Sequence, residues 1–204
     1  LAIVLIVFYG ILQFYLIEQK NKVLRTSINY NNTFSNKLDG NFDEDINLLS
    51  LENNFFGVLA LLEKIKNSFS KDDFNSANET YLKILEKNNI SNLYKTAIAI
   101  HGAYFFLDQI NQSGEESIKL NLDELKIIEF INNLLLYVDP SFESYSGFKL
   151  EILYLLSIVG EENEDKKTVE AKRNDLYKLI QENPKIPSSI KERIKIIHEF
   201  KTYK

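Results

Sequence analysis

The residues best suited to catalysis are scarce in this chain, which has two histidines, His101 and His198, and no cysteine. A zinc site with paired histidines would need both, yet they fall on predicted helices that lie far apart. The run that begins at His198 (HEFK) lacks the second histidine of a zinc-protease helix. The sequence also has no G-x-S-x-G elbow and no glycine-rich phosphate loop. We therefore predict no catalytic residue, no metal site and no cofactor.

Acidic residues form the other group with possible chemistry. In the acidic stretch 39–45 the glycine stands second rather than sixth, which does not match an EF-hand calcium loop. Glu143 and Glu151 are separated by about 12 Å along a predicted helix axis, too far for a paired acid and base. A membrane-anchored hydrolase or lipid-handling domain built from such dispersed carboxylates is the alternative function that we keep.

The N-terminal segment of the chain is an uncharged, apolar run. Residues 1–17 carry no charge, whereas all 24 basic and 29 acidic residues follow them. As a helix this run spans roughly 26 Å, close to the ~30 Å hydrocarbon core of a bilayer. We predict a transmembrane helix that continues upstream of Leu1. A signal peptide would need a small-residue cleavage site, and a buried core helix would need more polar side chains than Gln13.

The remaining chain has apolar residues at helical spacings of three and four throughout. Residues 18–50 are predicted to form a stalk helix and a breaker-rich turn at 39–45. Residues 51–204 are predicted to form three helical pairs and a capping helix. The predicted helices cover 55–69, 74–85, 93–111, 122–138, a third pair around Phe148–Leu155 and Val169–Ile180, and the segment after Pro187. Their predicted buried faces include Phe55, Leu125 and Phe200. The predicted fold is therefore all-α, as a short α-solenoid.

One predicted helix has the spacing of a known repeat. Ala77, Tyr81 and Ile84, with Phe74 three positions before them, resemble the second helix of a tetratricopeptide repeat. The preceding helix matches poorly, and the period is about 45 residues rather than 34. We therefore expect degenerate, tetratricopeptide-like units.

The whole layout resembles the YfgM-like family of ancillary Sec translocon subunits, through residues 56–63 (FGVLALLE) and 71–77 (KDDFNSA). The resemblance implies a single-pass protein of the bacterial inner membrane with a periplasmic helical domain. It also implies the translocon and periplasmic chaperones as partners. Lys20, Lys22 and Arg25 favour the cytoplasmic side instead. We follow the resemblance, because the charge rule compares the two flanks of a span and this sequence contains only the downstream flank of the predicted span.

Composition and aromatic residues bear on the partners. A net charge of −5 and a pI near 5.2 argue against nucleic acid. The consecutive rings of Tyr104, Phe105 and Phe106 cannot all point to one helix face. Together with Phe142 and Tyr145 they are the candidate partner-binding residues, with core packing as the competing interpretation. We thus expect a membrane-anchored, non-enzymatic scaffold that binds proteins.

Overall fold

The computed structural model describes residues 2–36, 41–113, 122–159 and 166–202. Within these ranges all regular secondary structure is helical, which confirms the all-α prediction. The helices are α1 (Ala2–Ser35), α2 (Phe42–Ser50), α3 (Phe55–Phe69), α4 (Phe74–Leu85), α5 (Asn92–Ser113), α6 (Leu122–Leu135), α7 (Glu143–Val159), α8 (Lys166–Glu182) and α9 (Ser188–Thr202).

Most predicted helix boundaries agree with the structure to within a few residues. The predicted turn between α3 and α4 is confirmed, and Asp72 has a φ of 55° there, a left-handed conformation that aspartate tolerates better than most residues. The predicted loop at 111–121 begins later than expected because α5 continues to Ser113. The rest of that loop and the predicted break at 160–163 lie outside the described residues.

Helix α2 is an element that the sequence pattern did not predict. The stretch 39–45 was expected to be a turn, but α2 begins at Phe42 and three carboxylates occupy its first turn. Negative charge there interacts favourably with the partial positive charge of a helix N-terminus. Ile46 and Leu49 on the same helix are buried. The acidic stretch therefore begins a helix, while residues 37–40 lie outside the described part of the chain.

The chain divides into two compact units, Leu1–Thr80 and Tyr81–Lys204, and the boundary falls inside α4. In the first unit α1, α2 and α3 pack against one another. One buried cluster among these helices combines aliphatic with aromatic side chains. Its members are Ile46, Leu49 and Ala60, with Tyr30, Phe34 and Phe42 packed against them.

Polar contacts attach the second half of α1 to this unit. The side chain of Asn54 caps α3 by accepting hydrogen bonds from two backbone N–H groups of its first turn. Its Nδ2 donates to Oγ1 of Thr26 on α1, 3.1 Å away. One turn earlier, Lys22 forms an ion pair of 3.3 Å with Glu52. These contacts hold α1 against the unit from Lys22 onward.

In the second unit, α5 packs on α6 and α7, and α7 packs on α8 and α9. One apolar cluster lies among the last three helices. It contains Tyr154, Ile180, Ile186, Ile190 and Ile194. A reciprocal pair of hydrogen bonds joins α8 to α9, because Gln181 and Lys191 each donate a side-chain N–H to the other's backbone carbonyl. Consecutive helical pairs therefore pack on one another through α5 and α7.

Three of the predicted buried side chains are instead exposed. Phe55 is 59 %, Leu125 45 % and Phe200 60 % exposed. Phe55 is the first residue of α3 and precedes its first buried positions, Gly57 and Val58. Leu125 is adjacent to the buried face of α6, and Phe200 lies near the end of α9, after its last buried position. The spacing of apolar residues predicted the helical period of each buried stripe, but it did not show at which residues the stripe begins and ends.

No helix among the described residues is both long enough and apolar enough to cross a membrane. The predicted span covers residues 1–17, and the side chains of 1–8 and 10 lie outside the described part. Helix α1 is continuous from Ala2 to Ser35, as expected for a helix that continues into a stalk. The span itself is not confirmed and stays a prediction.

We predict that Gly102→Ala destabilises the second unit by about 1–3 kcal/mol, because it overfills a packed core. A methyl group at Gly102 would lie 2.9 Å from Cε1 of Tyr81 and 3.0 Å from Cδ1 of Leu134. Both of these side chains are fully buried. The free energy of unfolding is measured by urea denaturation of the full chain.

The matched control is Gly147→Ala on α7, where the nearest atoms would lie 3.4 Å from the added methyl group. This is ordinary van der Waals contact, and alanine favours a helix interior over glycine by roughly 0.5–1 kcal/mol. We expect the control to be neutral or slightly stabilising. Equal losses in the two variants would contradict the close helix contact at Gly102.

Candidate binding surfaces

The three consecutive rings on α5 have different surroundings, as their spacing requires. Phe106 is fully buried, with its ring centroid 6.1 Å from Tyr81 and 5.5 Å from Phe130. Tyr104 is half-buried, and Phe105 is 40 % exposed. Of these three candidates, Phe106 belongs to the core and Phe105 has the most exposed ring.

The other two candidates, Phe142 and Tyr145, are both partly buried near the start of α7. The rings of Tyr145 and Tyr104 each lie 6.3 Å from Phe148. The structure therefore brings Tyr104 and Tyr145 together around one phenylalanine. The five candidates do not all belong to one exposed patch, because Phe106 is buried, and their role in partner binding stays a prediction.

Tyr104 also takes part in a buried charged network. Its hydroxyl donates to Oε2 of Glu151 at 2.7 Å. Arg193 on α9 donates to both oxygens of the same carboxylate, with Nε 2.9 Å from Oε1 and Nη2 2.7 Å from Oε2. Glu151 lies on α7, and its side chain is 4 % exposed. This carboxylate therefore joins α5, α7 and α9.

The protonation states in the network follow from these contacts. Burial, and the hydrogen bond to Glu151, raise the pKa of Tyr104 well above its usual value, so the phenol keeps its proton. The hydrogen bonds to Glu151 raise the pKa of Arg193. A carboxylate that accepts three charge-assisted or phenolic bonds is well satisfied. Glu151 therefore acts as a structural link, and its partner in the hydrolase hypothesis, Glu143, forms an exposed ion pair with Lys185.

Each histidine is hydrogen-bonded to a buried tyrosine. His101 Nδ1 lies 3.2 Å from the hydroxyl of Tyr81, and His198 Nδ1 lies 3.0 Å from that of Tyr154. Burial lowers the pKa of both histidines and raises that of Tyr154 to about 12. We therefore assign the phenols as donors and the neutral imidazoles as acceptors at Nδ1.

The ring of His198 also stacks on Tyr177, with centroids 3.9 Å apart and planes 7° from parallel. The histidines thus take structural positions between helices. Among the described residues there is no group of three or more His, Cys, Asp or Glu side chains arranged to hold a metal ion.

A depression that the sequence analysis did not identify lies between the ends of α7 and α9. Its volume is about 330 Å³, and most of its lining is aliphatic or aromatic. We call it the α7–α9 groove, lined by Leu155, Ile158, Val159, Ile196, Ile197, Phe200 and Lys201. Ile196 is 61 % and Phe200 60 % exposed. The groove can accept apolar side chains of a partner, and its sequence signal was the isoleucine beside the buried stripe of α9.

The first unit has a depression of different character between α1 and α2, with a volume of about 310 Å³. Amide, hydroxyl and carboxylate side chains dominate its lining. The lining residues are Thr26, Asn29, Asn32, Thr33, Asn36, Asp45, Leu48, Leu49 and Glu52. These groups can exchange hydrogen bonds with a polar ligand.

We predict that Arg193→Met destabilises the second unit by about 2 kcal/mol, because it removes two donors from a buried carboxylate. The loss is smaller than for a fully buried ion pair because the Arg193 side chain is 55 % exposed. The measurement is the free energy of unfolding from urea denaturation.

Lys195→Met on the same helix is the control. Lys195 is 56 % exposed and pairs with Glu199 at 3.8 Å, and an exposed pair of this kind contributes roughly 0.5 kcal/mol or less. If both variants lost the same stability, the Glu151 network would not have the structural role assigned to it.

Comparison of the chain with protein-family models, with curated proteins and with solved structures finds no match. The resemblance to the YfgM-like family therefore depends only on the residues and the layout given above.

Proposed function

We propose that this chain is a membrane-anchored helical scaffold that binds protein partners and has no catalytic activity. The observation that carries the proposal is the exposure of large apolar side chains along the first half of α1. Seven such side chains occur between residues 9 and 17, with exposed fractions from 45 % to 69 %. They are Tyr9, Ile11, Leu12, Phe14, Tyr15, Leu16 and Ile17.

These side chains are on every side of the helix rather than on one stripe. Removing apolar surface from water lowers the free energy of the chain by about 25 cal/mol per Å², so this exposure is unfavourable in water. A helix that is apolar all round is normally covered, either by protein or by lipid. The same stretch of sequence carries no charge before Glu18. Lipid contact accounts for both the exposure and the missing charge.

The second half of α1 is packed against protein rather than exposed and apolar on all sides. This contrast supports an anchor that ends near residue 17. From Lys22 onward α1 is attached to its unit by the contacts to Glu52 and Asn54. This part of α1 would lie in water next to the membrane surface and carry the helical units. A tether of this kind raises the effective concentration of partners in the same membrane.

In this proposal the α7–α9 groove, whose lining is mostly apolar, binds the partner. Two further arguments favour a scaffold over the hydrolase alternative. The oxygens of Glu151 already accept bonds from Arg193 and Tyr104, and Nδ1 of each histidine lies within hydrogen-bond distance of a tyrosine hydroxyl. Glu151 and the two histidines are therefore engaged in structural contacts.

The resemblance to the YfgM-like family supports the periplasmic side of a bacterial inner membrane. It also supports a role beside the Sec translocon or periplasmic chaperones. The tetratricopeptide-like spacing around Tyr81 supports a solenoid that carries the binding surface.

We predict that the full chain floats with lipid vesicles in a sucrose gradient and stays with them through an alkaline carbonate wash. Leu12→Arg inserts a charge into the anchor, at a cost of about 3 kcal/mol, or roughly a hundredfold in partitioning. The vesicle-bound fraction of this variant should fall accordingly.

The matched control is Leu136→Arg, since Leu136 is 79 % exposed and lies outside the anchor. We expect this variant to float as the unsubstituted chain does. A chain that remains at the bottom of the gradient, or a Leu12→Arg variant that floats normally, would refute the anchor.

A further inference from the structure

The α2–α3 loop (51–54) and the residue after it present two exposed apolar side chains. Leu51, the C-cap residue of α2, is 79 % exposed, and Phe55, the first residue of α3, is 59 % exposed. Nearby positions such as Leu49 and Val58 are buried in the first unit. Single exposed apolar side chains are common on protein surfaces, so the position of this pair in the unit decides what it can contact.

The α2–α3 loop lies at the end of the first unit that faces the first half of α1. Helix α2 runs antiparallel to α1, because Phe34 near the end of α1 contacts Phe42 at the start of α2, with ring centroids 5.4 Å apart. At the other end of α2, Glu52 pairs with Lys22, twelve residues earlier on α1 than Phe34. Helix α3 then begins at this same end and packs on both α1 and α2.

The proposed anchor sets the height of this loop above the hydrocarbon. At about 1.5 Å per residue, Lys22 lies about 7.5 Å and Thr26 about 13.5 Å beyond Ile17. These two residues contact Glu52 and Asn54 of the loop. The headgroup layer is itself roughly 5–8 Å thick on each side of a bilayer. Helices ~9 Å apart that tilt by about 20° towards the loop lower it by roughly 3 Å further. The loop is therefore within reach of the headgroup layer.

We propose that Leu51 and Phe55 enter the headgroup layer of the membrane that holds the anchor, as a second lipid contact of the first unit. This inference rests on the proposed function, because the anchor gives the loop its height. The loop lies on one side of α1 only, so the contact fixes the direction in which α1 tilts. Lipid is the occupant because the exposed pair is at the same end of the unit as the apolar surface of the anchor.

The charges around the loop are compatible with a lipid surface. Glu52 is the one carboxylate of the α2–α3 loop, and its ion pair with Lys22 balances its charge. Lys20 and Arg25 are exposed on the adjoining stretch of α1, where they can attract the phosphates of anionic headgroups. Apolar side chains accompanied by basic ones are typical of segments that lie in the membrane interface.

Quenching of tryptophan fluorescence by brominated lipid tests the contact, since the chain has no native tryptophan. The full chain is reconstituted in vesicles of phosphatidylcholine and phosphatidylglycerol, with or without bromine near the headgroup end of the acyl chains. The test variants are Leu51→Trp and Phe55→Trp, and far-UV circular dichroism checks that each retains its helical content. We expect bromine to remove about half of the emission of each.

Two further variants are the controls. Ser35→Trp lies at the exposed last residue of α1, about 27 Å beyond Ile17, so its emission should not change with bromine. Leu12→Trp lies within the proposed anchor and reports on the anchor alone. We expect bromine to quench it as well.

These readings separate the loop contact from the anchor. If Leu12→Trp is quenched but the loop variants respond no more than Ser35→Trp, the loop contact is overturned and the anchor is retained. Blue-shifted but unquenched emission from the loop variants also overturns it, because protein rather than lipid then covers the loop. If Leu12→Trp is not quenched, the anchor is wrong. The loop contact is then supported only by quenching of both loop variants and is overturned without it.

Discussion

The packing of this protein depends on one requirement, that the apolar surface of its helices is removed from water. Helix α1 meets this requirement differently along its length. From Lys22 onward its inner face packs on α2 and α3, and polar contacts through Asn54 and Glu52 fix it there. From Tyr9 to Ile17 its large apolar side chains are exposed on all sides. One continuous helix therefore connects a packed unit to a segment that is suited to lipid.

The second unit meets the same requirement by close packing of helices and by satisfied polar contacts. Gly102 allows α5 to approach Tyr81 and Leu134 closely. Glu151 is buried, but its charge is balanced because Arg193 and Tyr104 donate to it from two other helices. Burial of an ionised group requires such partners. Glu151 and the two histidines thus form contacts between helices.

Helical periodicity predicted much of this fold and little of its surface. The spacing around Ala77 and Tyr81 predicted α4 and its fully buried side chains correctly. The acidic turn of α2 was missed because carboxylates at a helix start resemble a polar loop in sequence. The link between Glu151 and Arg193 was missed because the two residues are 42 positions apart, and no local pattern relates them. The exposure of Phe200 was missed because it follows Ile194, the last buried position of α9, and helical spacing does not show where a buried stripe ends.

In the proposed arrangement α1 passes from lipid to water near residue 17, and a nitroxide scan along the helix measures this passage. Single cysteines from Tyr9 to Phe34, spin-labelled in the full chain on vesicles, report access of oxygen and of a water-soluble nickel complex. We expect spin labels up to Ile17 to show high access of oxygen and low access of the nickel complex, without helical periodicity. Beyond Lys22 we expect nickel access with a period of about 3.6 residues and minima near Thr26, Tyr30 and Thr33. Equal access of the nickel complex before Ile17 and beyond Lys22 would show that α1 does not pass from lipid to water there.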